Sequence, residues 1–438
     1  MNNKNHIHRA LLLSGLLLSA TSLMLQAEEN STPPEEHTCA AANFLEGKIP
    51  DAIAKGKFSL NVRTRYENVD QEGGTPPAHA ETIRTRFGYT TAPLYGFQAM
   101  IEAENVTAAN KDTYAAGPGS PVARDIIADP TGTEINQVWL GYSYNDTNFS
   151  ATIKGGRQML ILDNARFVGN VGWRQNAQTF DTAGFKLSPL KNLDLSYNYL
   201  WKVHRIYGDD SSLAATTSDF RSASHLLNAA YTISPLAKIV GYSYLLDLKN
   251  ERGGNASSSS ATYGGFLTGT WTFDETAKGT LGYRGEFAWQ TDYADNPANY
   301  ETTYYLGELK ATYDRFNVSV GYEVLGADNG QSFRTPLATL HAFNGWADVF
   351  SATPANGLRD FYASAGVNLP GQIPISFVYH KFDSDRGGAD YGQEYDIVAS
   401  RKFGKNWTVL AKYAKYDGRG GPYNFDKQVF WGEIEFNF

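Results

Sequence analysis

The sequence predicts an all-β protein: a transmembrane antiparallel up-and-down β-barrel of about 18 strands, with short periplasmic turns and long extracellular loops. Three observations lead to this prediction. The final segment, 427–438, alternates in polarity up to its last residue, Phe438. About 18 alternating segments follow one another along the chain, and bacterial barrels have an even number of strands. The connections between these segments alternate between short turns and long loops, as they do in transmembrane barrels.

The final segment shows the pattern most clearly. Successive side chains of a strand point to opposite faces. One face is therefore apolar and consists of Phe430, Gly432, Ile434, Phe436 and Phe438. The opposite face carries the carboxylates of Glu433 and Glu435. An apolar strand at the edge of a sheet promotes aggregation unless another strand covers it, and closing the sheet into a barrel removes the edge.

The composition fits many strands better than membrane helices. The chain has 438 residues, of which 42% are hydrophobic and 19% charged, and its mean hydropathy is −0.40. Beyond residue 27, no apolar run approaches the roughly 18 residues that a transmembrane helix needs. The 27 Tyr, 24 Phe and 42 Gly residues suit strands, tight turns and aromatic girdles. The net charge of −8 argues against nucleic acid as a partner.

The N-terminus has the features of a secretory signal peptide, which we predict over residues 1–27. Lys4 and Arg9 precede an apolar stretch at 10–18, and Ala27 ends a small-residue cleavage site. Residues 28–56 are predicted to form a periplasmic N-terminal segment with a short helix within 40–54. Residues 57–438 are predicted to form the barrel, in the outer membrane of a Gram-negative cell.

The strands follow in order from residue 57. The first spans 58–67, the second centres on 83–89 and the third covers 97–104. The others are predicted at 134–144, 149–157, 175–187, 192–203, 223–233, 236–248, 261–273, 278–291, 301–313, 316–325, 359–369, 373–383, 392–403, 407–417 and 427–438. Short connections carry turn residues, among them Pro93, Asp146, Pro189 and Pro235.

Two of the long loops, 158–174 and 326–358, contain apolar and aromatic residues such as Phe167, Phe343 and Trp346. A long loop with its own aromatic residues tends to be ordered against something. We therefore expect at least one of these loops to fold into the lumen and narrow it. An extracellular cap is the alternative.

Charged residues on the inner wall are the main functional signal. Charge on the lipid face costs roughly 2–4 kcal/mol at the membrane midplane, which places charged strand residues in the lumen. The predicted lining and solute-binding residues are Arg63, Arg65, Glu67, Arg84, Arg86, Glu102, Glu104, Arg157 and Arg174. Their arginines suit carboxylates, because a planar guanidinium can bind both carboxylate oxygens. The alternative is that these arginines and glutamates pair with one another and brace the wall.

Several motifs resemble the alginate export (porin-like) family of outer-membrane barrels. They are Gly156-Arg157-Gln158, the segment 163–169, Trp173-Arg174-Gln175, Thr179-Phe180-Asp181, the opening stretch 61–67 and the stretch 333–348. The similarity covers residues from about 57 to 438. It implies an 18-stranded, monomeric barrel with an arginine-lined conduit for an anionic solute.

The sequence therefore predicts a channel for passive diffusion or export of polar, anionic solutes such as acidic sugars. A structural or adhesive barrel with a closed lumen is one alternative, and a barrel enzyme acting on lipid is another. No catalytic set, metal site or cofactor is predicted, because no Ser/His pair or paired-His spacing is recognisable. The expected partners are outer-membrane lipid, a small anionic or saccharide solute, and the barrel-assembly machinery acting on the strand that ends at Phe438.

Overall fold

The computed structural model describes residues 47–208, 210, 212–253 and 256–438. The predicted signal peptide and most of the predicted N-terminal segment lie outside these residues, so the domain boundaries stay predictions. Near the start of the described chain a short helix, α1 (Lys48–Ala54), falls within the stretch where a helix was expected. Among the described residues, no helix is long and apolar enough to cross a membrane.

Eighteen antiparallel strands form the main sheet in the described part of the chain. They are β1 (Lys57–Gln71), β2 (Ala78–Thr90), β3 (Phe97–Ala108), β4 (Gly132–Asn145), β5 (Ser150–Gln158), β6 (Thr179–Leu190), β7 (Leu193–His204), β8 (Phe220–Ser234), β9 (Ala237–Leu246), β10 (Ser260–Asp274), β11 (Gly279–Asp292), β12 (Glu301–Tyr313), β13 (Phe316–Leu325), β14 (Leu358–Leu369), β15 (Ile373–Asp383), β16 (Asp390–Phe403), β17 (Trp407–Gly418) and β18 (Asp426–Asn437). The three residues Leu248–Asn250 continue β9 and pair with β8.

The sheet closes on itself. Each strand pairs with the next, and β18 pairs with β1, so that Glu433 lies opposite Arg65 and Glu435 opposite Arg63. At the end of this seam Leu60 and Phe438 exchange two backbone hydrogen bonds of 3.0 and 2.9 Å. The prediction of a closed, 18-stranded antiparallel barrel is confirmed.

The two ends of the barrel differ, as predicted. At one end, the turn end, connections such as 191–192, 235–236 and 314–315 have only two residues. At the other, the loop end, the connections 109–131, 159–178 and 326–357 are long. Between the ends the outward side chains are apolar and exposed, among them Phe58, Phe87, Leu140, Ile153, Leu309, Ile397 and Ile434. The polarity alternation predicted from the sequence is the alternation between lipid face and lumen.

Several strand boundaries differ from the prediction by a few residues, and the start of the sixth strand has a clear structural reason. The sixth strand begins at Thr179, whereas the sequence pattern predicts it from residue 175. The backbone N–H of Gln175 donates to Asp129 at 2.8 Å, and the Gln178 amide donates to the carbonyl of Gly169 at 2.9 Å. These contacts hold residues 175–178 in the preceding loop, which lies inside the barrel.

Candidate functional site: a charged constriction in the lumen

Four arginines of the first two strands line the inner wall. Arg63 and Arg84 are directly opposite each other in the pairing of β1 with β2, and Arg65 and Arg86 flank them on the same face. Like charges placed opposite each other in a sheet destabilise it unless counter-charges are near. The structure supplies these counter-charges from β18, from β3 and from the long loops.

Across the seam, β18 provides the carboxylates for β1. Arg65 donates to Glu433 through Nε at 3.0 Å and through Nη2 at 2.6 Å. Arg63 lies 3.4 Å from Glu435, and Arg84 lies 3.1 Å from the same carboxylate. The Arg84 guanidinium also donates to Asn61 at 2.6 Å, while its Nε and Nη1 have no hydrogen-bond partner among the described residues. This corner of the wall therefore holds more guanidinium donors than it holds acceptors.

The predicted acidic residues of β3 occupy the neighbouring wall. Glu104 forms an ion pair with Arg86 and accepts from the backbone N–H of Ala177 in loop 159–178. Glu102 accepts from the amides of Asn136 at 2.7 Å and Gln137 at 3.1 Å. Arginine and glutamate are thus adjacent on the wall, and Glu102 is held by neutral donors.

Loop 159–178 folds into the lumen and brings Arg174 to this wall. The Arg174 guanidinium donates to Glu67 on β1 at 3.1 Å and to Asp348 in loop 326–357 at 2.8 Å. A third carboxylate, Asp129 in loop 109–131, lies 3.8 Å away. Three loops and a strand therefore meet at one arginine. The prediction that at least one long loop folds inward and narrows the lumen is confirmed.

Loops 159–178 and 326–357 also bind each other and the opposite wall. Val168 and Leu337 form a parallel β-bridge, and both side chains are buried. Arg166 binds Glu323 on β13 through two hydrogen bonds of 2.8 and 3.2 Å, and it also donates to Asn344 at 3.1 Å. The two loops thus form a layer across the barrel that is attached to β1 on one side and to β13 on the other. We call this layer the constriction.

An aromatic stack holds the middle of the constriction. The rings of Trp173 and His341 are parallel, with centroids 4.4 Å apart, and Trp431 meets both rings edge-on. The ammonium group of Lys412 lies 4.3 Å from the Trp173 ring and 3.7 Å from the Trp346 ring. Cation–π attraction of this kind is stronger where water is excluded.

His341 links this stack to Asp348. Its Nε2 accepts from the Lys412 ammonium at 2.7 Å, so the neutral ring carries its proton on Nδ1 and donates it to Asp348 at 3.0 Å. Burial lowers the pKa of His341 to about 3, and the positive charges of Lys412 and Arg174 lower it as well. The neutral ring is therefore the form that fits the seated loop.

Acidification is expected to loosen the constriction. A His341 released from this site would regain an ordinary pKa near 6.5. Below pH 6.5 the released loop therefore binds more protons than the loop in its place in the lumen. The free energy by which a neutral His341 holds the loop there is fully present above about pH 6.5 and is lost as the pH falls toward 3. Single-channel conductance should become larger or more irregular between pH 7 and pH 4. In the variant His341→Gln this change should be weaker, and an identical pH profile would contradict the role of His341.

Cavities lie on both sides of the constriction. On the side of the loop end, a cavity of about 390 Å³ is lined by Glu67, Arg174, Asp348, Lys427 and Tyr207 among others. On the side of the turn end, a cavity of about 400 Å³ is lined by Lys154, Lys186, Lys238, Asp163 and Asp194 among others. The charged layer thus separates two spaces that small solutes can occupy.

One predicted lining residue is not in the lumen. Arg157 pairs across the sheet with Val138, which is exposed on the lipid face, and with Asp181 on the same outer face. Its guanidinium binds Asp181 at 2.9 Å. The prediction that Arg157 lines the pore was wrong. In a strand, every second residue faces the same side, so Arg157 lies on the same face as Gly155 and the apolar Ile153. This spacing was the sequence signal that Arg157 points outward.

The other predicted residues gather at the constriction. Arg63, Arg65, Glu67, Arg84, Arg86, Glu104 and Arg174 form one network with the loops, and Glu102 lies beside it on β3. The sequence interpretation did not identify Asp129, Glu323, His341, Asp348 and Lys412 as parts of this site. Strand alternation places Glu323 and Lys412 on the inward face, and His341 and Asp348 lie in the stretch 333–348 that carries part of the family resemblance. Asp129 had no such signal.

Comparison with known proteins establishes the fold. No family model matches the chain, and no curated protein matches it. Solved structures similar to it include Pseudomonas aeruginosa OpdK with vanillate, at a TM-score of 0.65 and 12% identity, covering 88% of this chain and 99% of that chain. Acinetobacter baumannii OccAB4 matches at a TM-score of 0.66 and 12% identity, covering 89% and 99%. Pseudomonas aeruginosa OpdL matches at a TM-score of 0.62 and 15% identity, covering 88% and 99%.

Sequence identities of 12% to 15% show that the fold is shared and nothing further about function. The chain shares the closed antiparallel β-barrel fold of those structures over nearly their full length. The narrower prediction, membership of the alginate export family, stays a prediction.

Proposed function

We propose that this protein is an outer-membrane channel through which small organic anions, acidic sugars among them, diffuse passively. The observation that supports it is the placement of cations around the constriction. Lys154, Lys186 and Lys238 line the cavity at the turn end, and neither Lys186 nor Lys238 forms an ion pair with another described residue.

The carboxylates of the same cavity are already engaged. Asp163 accepts from the Asn228 amide at 2.8 Å, and Asp194 accepts from the Ser188 hydroxyl at 2.5 Å. The ammonium groups therefore remain available to a passing anion. On the wall formed by β1 and β2, the guanidinium N–H groups of Arg63 and Arg84 that have no hydrogen-bond partner among the described residues offer sites that a carboxylate could occupy once the loops move. One of the similar structures, OpdK, was solved with vanillate, which is a small aromatic carboxylate.

The proposal extends to the oligomeric state, the absence of catalysis and the assembly of the barrel. The barrel would act as a monomer and as a channel rather than an enzyme, and its last strand, β18, would be the strand handled by the barrel-assembly machinery. The alginate export resemblance makes uronates the first acidic sugars to test.

The test is conductance of the refolded protein in a planar bilayer, with the reversal potential measured in a salt gradient. We expect anion selectivity and a current that is blocked by a uronate oligosaccharide or by vanillate. In the double variant Lys186→Glu/Lys238→Glu, selectivity should shift toward cations. The matched variant Lys186→Gln/Lys238→Gln should give an intermediate value, because it removes the charge without reversing it.

A second candidate, a barrel with a closed lumen, is favoured by the density of ion pairs that attach the loops to the wall. That candidate predicts no current at any pH and no effect of the lysine variants. An open current with cation selectivity would contradict the proposal of an anion channel, but it would still agree with a porin of different selectivity.

A further inference from the structure

A row of charged side chains crosses the outer wall at the loop end. Register places Arg157 on β5, Asp181 on β6, Lys202 on β7, Arg221 on β8 and Lys249 on the continuation of β9 directly beside one another. With strands about 4.8 Å apart, the row is about 19 Å long. It holds four cations and one carboxylate.

The row belongs to the membrane side of the barrel and not to the lumen. Arg157 lies opposite Val138, whose side chain is 46% exposed. On β5 itself, Ile153 points outward closer to the middle of the membrane and is 58% exposed. Trp201, which precedes Lys202, is also exposed. Arg157 and Lys202 lie within the last three residues of their strands, and Arg221 is the second residue of β8. Charge at this depth costs about 0–1 kcal/mol, so the row lies at the level of lipid headgroups.

The counter-charges are arranged asymmetrically. Apart from Asp181, the carboxylates that bind these cations come from residues beyond the strand row, toward the loops. Lys202 binds Glu251 at 3.0 Å and Asp219 at 3.5 Å, and Lys249 forms an ion pair with Asp295. Arg221 is exposed and forms no ion pair or hydrogen bond with another described residue. A group that approaches from the membrane meets the cations first.

A polar pocket of about 240 Å³ opens beside the row. Its lining includes Arg157, Lys202, His204 and Asp219. The His204 ring bridges Asp181 and Asp219, with both distances at 3.0 Å. The pocket thus presents cationic donors that are held in place by the carboxylates of Asp181 and Asp219.

We propose that this outer-wall row binds the phosphorylated sugar headgroup of a lipid in the surrounding membrane. Arg221 and Lys202 would hold the phosphate, since charge-assisted hydrogen bonds to phosphate are short and strong. This site is separate from the lumen and does not depend on which solute the channel passes.

The experiment measures retention of bis-phosphorylated lipid A by the full-length refolded protein in detergent, using native mass spectrometry. Arg221→Ala removes no ion pair, so its folding should be unaffected, and we expect about tenfold weaker binding. The matched control is Arg401→Ala, an outward arginine close to the turn end, which pairs with the exposed Val409. This control should bind lipid A as the unmodified protein does.

Two further probes separate the sources of phosphate. Dephosphorylated lipid A should bind much more weakly, and inorganic phosphate at the same concentration should not compete. Equal binding by Arg221→Ala and the unmodified protein would overturn the proposal. So would undiminished binding of the dephosphorylated lipid, or full competition by inorganic phosphate.

Discussion

Replacing Arg174 with alanine is expected to unseat loop 159–178 and to raise the single-channel conductance several-fold. The Arg174 guanidinium forms ion pairs with Glu67 and Asp348, and Asp129 lies 3.8 Å from it. Removing one partner of a buried ion pair costs about 3–5 kcal/mol, because the remaining charge stays buried without compensation. Release of the loop lets water reach these carboxylates and relieves that cost.

Two variants test this reasoning. Arg157→Ala is the control, because Arg157 also forms an ion pair with a carboxylate but lies on the outer wall. The conductance of this variant should equal that of the unmodified protein. In the double variant Arg174→Ala/Glu67→Gln one of the stranded charges is gone, so the loop should be partly reseated and the conductance should fall back. A conductance of Arg174→Ala that equals the unmodified value would show that the loop does not limit flow.

Replacing Trp173 with alanine is expected to lower the stability of the folded barrel by about 3 kcal/mol, near the lower end of the cost of such truncations because the ring is only half-buried. The ring of Trp173 contacts His341 by stacking, and the cations of Arg65 and Lys412 both lie 4.3 Å from it. The alanine variant leaves these two cations and the imidazole without the surface that separates them.

The measurement is the temperature at which the folded barrel loses its fast electrophoretic mobility, together with channel noise. Trp173→Ala should lower that temperature and increase brief openings. Trp173→Phe keeps a ring face and should recover part of both effects. If Trp173→Ala unfolded at the temperature of the unmodified protein, the stack would contribute little.

The barrel was predictable because its pattern is local. Each strand carries its own alternation, and each turn carries its own Gly, Pro or Asp signal, so eighteen strands could be located without knowledge of contacts. The inward arginines of β1 and β2 followed from the same alternation. Arg157 was misplaced because a charge was assumed to face the lumen. At the rim of a barrel that assumption fails, since headgroups and water stabilise an outward charge there.

The constriction was predictable only in outline. The aromatic content of loops 158–174 and 326–358 indicated that they are ordered, but it could not indicate their partners. Arg174 binds residues 107 and 174 positions away, and Arg166 binds a glutamate 157 positions away. Such pairings depend on how the closed barrel brings distant loops together, and no periodicity in one sequence records them.

The seam between β1 and β18 has a consequence for how the barrel forms. The hydrogen bonds between Arg65 and Glu433 join side chains 368 residues apart, so they can form only after every intervening hairpin has brought the two edges together. Contacts of such separation form late and make folding slow. Until then, the guanidinium groups of β1 have no carboxylates from β18, and both edges of a curled, open sheet remain able to pair with other chains. Closure is therefore one late event that removes two reactive edges and neutralises the inner wall at the same time.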